Sequence, residues 1–301
     1  VIPLGLLNDR ISPRTLILIG FFLYGILFWG ASEFTSFEGL LLVFTLGAIG
    51  LTMTNLSIDS LFYKTSEKGK HKQLRAYVGS YLFAAGLGAL TGGFILDHID
   101  FTNWFKIIGS VAFLMGLMSF ILPKTETFHF KLTQYKKDLF KAPVFMFMAM
   151  IFIWGLHFGS ELTSYGLFLR ENLNLTYQQM GLYMGISIMA MFLWVRLATS
   201  FIHQKVPILH ILYIGIFFAA IGGGIMTIPK LEISFLGRII HEAGDAFMMV
   251  FLYYGIRQLF PKERAGGITG LSNFLQMSAN MVGVLAFAPI GKIYGNEYPI
   301  L

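Results

Sequence analysis

Nine stretches of mostly apolar residues, each close to 20 residues long, follow one another along the chain, and this succession limits the fold more than any other feature. They run over residues 15–32, 40–63, 76–96, 105–122, 143–169, 180–202, 207–228, 233–256 and 268–290. About 20 apolar residues in a helix cross the roughly 30 Å of hydrocarbon in a bilayer. Within lipid every backbone N–H and C=O must find its partner inside the protein, which leaves only helices or closed barrels. None of the runs alternates apolar and polar residues as a membrane strand does. The expected fold class is therefore all-α, a polytopic transmembrane helix bundle. Composition agrees, since 55% of the residues are hydrophobic and 13% charged, against about 25% charged in a soluble domain.

The basic residues test this map independently, because they took no part in drawing it. One set of alternate loops holds Arg10 and Arg14; Lys64, Lys68, Lys70, Lys72 and Arg75; Lys124, Lys131, Lys136, Lys137 and Lys141; Arg196 and Lys205; and Arg257, Lys262 and Arg264. The opposite set holds only Lys106, Arg170, Lys230 and Lys292, with Arg238 inside a span. Cytoplasmic loops carry the excess of Lys and Arg, so loops 64–75 and 123–142 are expected in the cytoplasm and the protein in a bacterial cytoplasmic (inner) membrane. The net charge of +6 is thereby a topology signal, and no nucleic-acid partner is expected. The longest loop, 123–142, reads as a linker between two bundles; its Phe128, Phe130, Leu132 and Tyr135 suit either a surface-lying helix or a solvated connector. Cysteine is absent, which excludes disulfides, thiolate metal ligands and a cysteine nucleophile.

The chain opens with Gly5, Leu7, Asp9, Arg10, Ser12, Pro13, Arg14 and Leu16 directly before the first apolar run. Asp9 can accept hydrogen bonds from Arg10, Arg14 or a helix N-terminus, a charge clasp that holds in one conformation and releases in another. The segment resembles the signature loop between the second and third helices of the major facilitator superfamily. Gly5, Leu7, Asp9, Arg10 and Arg14 match at their spacing, whereas Ser12 stands where that family has a second glycine and Pro13 where it has a basic residue. The stretch from Phe260 through Pro261, Lys262, Glu263, Arg264, Gly267, Gly270 and Asn273 to Gly283 looks like the boundary of that family's tenth and eleventh helices. The resemblance implies two pseudo-symmetric halves, 1–122 and 143–301, joined by the linker 123–142. It also implies that the nine spans are helices three to eleven of twelve, with the first helix, most of the second and the last lying outside this sequence. Gly88, Ala89, Leu90, Thr91, Gly92 and Gly93 resemble an element of the family's proton-coupled exporters, with Ala89 in place of its proline. Gly88, Gly92 and Gly93 are assigned instead to close helix packing, which small residues at i and i+4 permit.

Titratable residues inside the spans carry the functional expectation, because a charge near the bilayer centre costs on the order of 3 kcal/mol and is turned towards a cavity, a partner or an ion path. In span 143–169, His157, Glu161 and Tyr165 recur at i, i+4 and i+8, with Ser160 and Ser164 alongside, a face expected to be wet. In span 233–256, Arg238, Glu242 and Asp245 follow at i, i+4 and i+7, with His241 beside them. The stripe suits a ladder of Arg238 with Glu242 and His241 with Asp245, or a site where an acid gains and loses a proton. Span 40–63 offers Thr52, Asn55 and Asp59; Asn55 is expected to line a cavity and Asp59 to join Arg10 and Arg14 in a cytoplasmic gate. In the resembling family the cavity is lined by helices one, four, seven and ten, which implies these three spans.

The expected function is secondary transport of a small solute by alternating access, with the proton as coupling ion and a monomer as the working unit. No catalytic residue, cofactor or metal is expected. Two competing readings stay open: a membrane-embedded hydrolase or acyltransferase using His157 and Glu161, for which neither H-E-x-x-H nor G-x-S-x-G is present, and a transport-inactive sensor on the same fold.

Overall fold

Polar residues at the ends of each apolar run set where its helix begins and stops. The structure is a computed structural model and describes residues 1–66, 71–96, 98–127 and 141–301. Among them are ten α-helices and no strand. Helix α1 spans Ile2–Arg10 and α2 spans Pro13–Glu33. Pro13 occupies the first turn of α2, where its missing N–H costs nothing, so the residue that departs from the signature loop is the one that starts the next helix. Helix α3 (Phe37–Thr65) is capped by Ser36, whose Oγ accepts from the Gly39 N–H at 3.2 Å. Helix α4 spans His71–Ile95. Helix α5 (Phe101–Met118) is capped by Asp100, whose carboxylate accepts from the Asn103 N–H at 3.0 Å and from its side-chain amide at 2.6 Å. Those two bonds, the backbone one foremost, hold the Asp100 carboxyl below its ordinary pKa.

Helix α6 spans Ala142–Leu167 and runs on as a π-turn over Phe168–Asn172. Helix α7 (Tyr177–His203) starts with a reciprocal capping box between Thr176 and Gln179. Helices α8 (Ile208–Met226), α9 (Leu231–Leu259) and α10 (Ala265–Tyr294) complete the chain. Each expected span corresponds to one helix, with ends that differ by a few residues. Eight of the helices are long and apolar enough to cross a membrane. The remaining expected span, 233–256, lies in α9, a helix of 29 residues, or about 44 Å at 1.5 Å per residue, which carries Arg238, Glu242 and Asp245, all buried in the protein. The aromatic residues proposed for a surface helix in the linker lie outside the described residues.

Packing divides the described chain into two units. The first comprises Val1–Glu67, His98–Phe145 and Ile256–Phe274, and the second Lys68–Asp97, Met146–Gly255 and Leu275–Leu301. In the first, α2 lies against α3 and α5 through Gly20, facing Thr54, and Gly25, facing Phe113. In the second, α4 lies along α7, so packing groups α4 with helices that chain order places in the other half.

The glycines that carry the α4 contact differ from those expected. A Cβ added at Gly88 or Gly92 would meet nothing within 4 Å among the described residues, so the i, i+4 pair does not seat a helix there. The buried seam is Gly79, Gly86 and Gly93, at i, i+7 and i+14. It faces Phe192, Met189 with the Gly185 carbonyl, and Gly181. Only Gly93 of the expected set belongs to it: a Cβ there would stand 2.8 Å from the Gly181 Cα and 2.9 Å from the Tyr177 carbonyl oxygen, both backbone atoms. Alanine substitutions should therefore have opposite signs. Gly93→Ala forces α4 and α7 apart and costs about 1–3 kcal/mol, while Gly92→Ala gains up to about 1 kcal/mol of helix propensity. Thermal unfolding in detergent checks the pair, and equal shifts would remove the seam.

Candidate functional site: a buried charge cluster on α6 and α9

The two helices that hold most of the expected site bring their stripes together within the second unit. One turn separates His157 from Glu161 on α6, and His241 from Asp245 on α9, so each pair shares a helix face. Oε1 of Glu161 is the meeting point: it lies 2.7 Å from His241 Nε2, 3.1 Å from Arg238 Nη1 and 3.4 Å from His157 Nε2. Arg238 also donates to Oε1 of Glu242 from Nε at 2.7 Å, with Nη2 paired to the same oxygen at 2.6 Å, and its guanidinium lies 4.8 Å from the centre of the Tyr165 ring. The two histidine Nε2 atoms are 3.1 Å apart. Asp245 accepts from the Trp154 indole N–H at 3.1 Å, and its other oxygen lies 3.7 Å from His241 Nε2.

Of the expected ladder, the Arg238–Glu242 rung is present. His241, however, is nearer to Glu161 than to Asp245. The cross-helix partner wins because Glu161 reaches it directly from the facing helix, whereas Asp245 sits one turn along the same helix. Arg238, His241, Glu242 and Asp245 are all buried, while side-chain exposure on α6 falls from 28% at His157 to 11% at Glu161. Tyr165 at the far end of the stripe is buried, so the face is open to solvent at the His157 end rather than wet throughout. The outward face of the same helix shows Met146, Ile153 and Leu162. The titratable stripes of α6 and α9 are thus turned into the protein and large apolar residues of α6 outward, as a membrane requires.

Neutral imidazoles and ionised carboxylates would leave one positive charge, Arg238, against three negative ones, Glu161, Glu242 and Asp245. That sum of −2 is not sustained in a desolvated site without protons or a cation. Beyond Tyr165 a one-way hydroxyl chain begins. Ser234 donates to the Met226 carbonyl at 2.6 Å, so it accepts from Tyr183 at 2.8 Å, and Tyr183 in turn accepts from Tyr165 at 2.8 Å. Trp154, Tyr183, Ser234 and the Ala219 carbonyl were not among the expected site residues. Trp154 and Ser234 were within reach of helical spacing, being three residues before His157 and four before Arg238, whereas Tyr183 and Ala219 come from separate helices that no local pattern links.

The signature loop lies in the first unit. Asp9 is fully buried and takes the third of its expected partners, a helix N-terminus. Its Oδ1 accepts from the Gly266 N–H at 3.1 Å and its Oδ2 from the Gly267 N–H at 2.9 Å, both in the first turn of α10. Gly5 makes this approach possible, since a Cβ there would stand 2.7 Å from the Gly270 Cα. Lys64 closes the site by donating to the Asn8 carbonyl at 2.6 Å. Arg10 is exposed, and the Arg14 guanidinium lies 5.2 Å from the centre of the Phe120 ring. Asp59 and Arg257 are both close enough to the Tyr63 hydroxyl to act on it electrostatically. Asn55 is exposed on α3, outside the unit that holds the charge cluster.

Apolar helices of membrane-crossing length, an interior set of paired charges and a carboxylate locking a helix end together define an integral α-helical membrane protein of the transporter class. The chain belongs to the Major Facilitator Superfamily, whose family model matches residues 1–284. Similar solved structures share its fold at low identity. The human organic anion transporter MFSD10 (TETRAN) aligns with a TM-score of 0.77 at 13% identity, over 99% of this chain and 76% of its own. The Escherichia coli fucose:proton symporter FucP aligns with a TM-score of 0.67 at 14% identity, over 99% and 83%. A bacterial homologue of the iron transporter ferroportin aligns with a TM-score of 0.70 at 15% identity, over 99% and 82%. No curated protein sequence matches the chain.

Proposed function

We propose that this protein is a secondary active transporter of a bacterial cytoplasmic membrane that moves a small solute by alternating access, with the charge cluster of α6 and α9 as its solute or coupling-ion site. The observation that carries the reading is that cluster itself: three carboxylates and one arginine, buried between two helices that turn apolar residues outward. Such residues inside membrane helices are costly, and they mark ion and substrate paths. The excess of carboxylate over guanidinium supports coupling to protons. The Asp9 contact with the α10 N-terminus supplies an interaction that one conformation makes and another breaks.

The test is transport by the full-length protein in sealed vesicles under an imposed pH gradient, with solutes chosen by a thermal-shift screen at two pH values. Glu161→Gln and Asp245→Asn should each abolish gradient-driven accumulation. Intact accumulation in both variants would end the proton-coupled reading, and solute binding without flux would replace transport with sensing.

A further inference from the structure

From the geometry of the same cluster we infer that His157, Glu161, His241 and Asp245 form a binding site for a divalent transition-metal ion of the zinc, manganese or ferrous class. One ligand atom from each lies within 4.8 Å of all the others. Metal bonds of about 2.0–2.1 Å in tetrahedral geometry place ligand atoms about 3.3 Å apart. The separations 2.7 Å (His241 to Glu161), 3.1 Å (His157 to His241), 3.4 Å (His157 to Glu161) and 3.7 Å (His241 to Asp245) straddle that spacing.

A hydrogen bond from His241 Nε2 serves only one of the three groups that face it. The Nδ1 of His241 lies 2.9 Å from the Ala219 carbonyl oxygen, which can only accept, so the Nδ1 hydrogen is committed there. Nε2 then has at most one hydrogen, yet it faces Glu161, His157 and Asp245 together. A single cation at their centre satisfies all four groups at once. It would also cancel the charge of −2 that Arg238 leaves on Glu161, Glu242 and Asp245.

The outer partners are those that metal ligands require. His241 is oriented by the Ala219 carbonyl, Asp245 by the Trp154 N–H at 3.1 Å, and Glu161 by Arg238 at 3.1 Å. Two imidazoles with two carboxylates suit zinc, manganese or ferrous iron, and calcium, which takes six to eight oxygens, poorly. His157, at 28% side-chain exposure, gives the ion its way in. No short motif announces the set, because two ligands come from each of two helices about 80 residues apart. The role of the ion as cargo or co-substrate rests on the transport reading; its binding does not.

Tag-free full-length protein in detergent is titrated with Co²⁺, read by its ligand-field absorption, and with Zn²⁺ in competition. The expected result is one saturable site with the spectrum of a tetrahedral nitrogen and oxygen environment. His157→Gln and Asp245→Asn should each weaken binding by at least about tenfold. Trp154→Phe, which keeps all four ligands, should weaken it by about 10–100-fold, and Asp100→Asn at the exposed cap should leave it unchanged. Absence of saturable binding overturns the site, as does wild-type affinity in His157→Gln and Asp245→Asn proteins that melt like the parent. Zn²⁺ flux into vesicles separates the two proposals: a protein that binds the metal without moving it keeps the site and loses the cargo role. One that moves another solute and binds no metal keeps transport and loses the site.

Discussion

Replacing Arg238 by methionine should destabilise the protein by about 3–5 kcal/mol, the cost of breaking a buried ion pair from one side. The guanidinium is 5% exposed; it donates to Glu242 at 2.7 Å and to Glu161 at 3.1 Å, and its Nη2 pairs with Glu242 at 2.6 Å. Removing it abandons two carboxylates in a desolvated site. Methionine keeps the packing volume against Tyr165, so the loss is electrostatic rather than a cavity effect. Arg238→Lys should recover only part of the stability, because an ammonium is a point charge and cannot fork to two carboxylates. The triple change Arg238→Met, Glu161→Gln and Glu242→Gln should recover most of it, since a neutralised cluster has no charge left unpaired. The measurement is the unfolding midpoint in a denaturant or temperature series. A loss below about 1 kcal/mol for Arg238→Met would mean that water reaches the cluster.

Much of the fold could be read from the sequence, for a reason specific to membranes. Lipid forces each span to be a continuous apolar run with polar ends, so the nine runs and the helices α2 to α10 coincide to within a few residues at nearly every boundary. The clusters of Arg and Lys repeat the same information on the loops. The cluster was legible only by halves. Spacing placed His157 with Glu161 on one face, and Arg238 with Glu242 and Asp245 on another, because those relations are local to one helix. That Glu161 bonds to Arg238 and His241 is a fact of tertiary packing, and helical spacing carries no such information.

The glycines show the same limit from the other side. Gly88 and Gly92 have the i, i+4 spacing of a packing motif, but which face of α4 meets α7 depends on the whole crossing. The crossing follows the seven-residue seam of Gly79, Gly86 and Gly93 instead. Ser12 and Pro13, the departures from the signature loop, follow from local structure: Ser12 is the N-cap position of α2 and Pro13 its first residue.

Asp9→Ala should cost about 1.5–3 kcal/mol for each of the two hydrogen bonds it removes, the range for bonds to a charged group. The Gly266 and Gly267 N–H groups would be left buried, because Gly5 and Gly270 hold the α1 and α10 backbones too close for water to replace the carboxylate. Asp9→Asn distinguishes charge from shape. Its amide oxygen can accept from one of the two N–H groups, but the amide nitrogen then faces the other as a donor against a donor. The asparagine variant should therefore keep roughly half of the stability that alanine loses. Since Asp9 bonds to a helix end, its loss acts on the conformation that makes this contact and biases the protein towards any that does not. The chain has no cysteine, so a single cysteine introduced at the exposed Arg10 reports its accessibility without background. Thiol labelling there should quicken in the order parent, Asp9→Asn, Asp9→Ala. Equal labelling in all three, with stability lost as expected, would make the contact a structural lock with no part in gating.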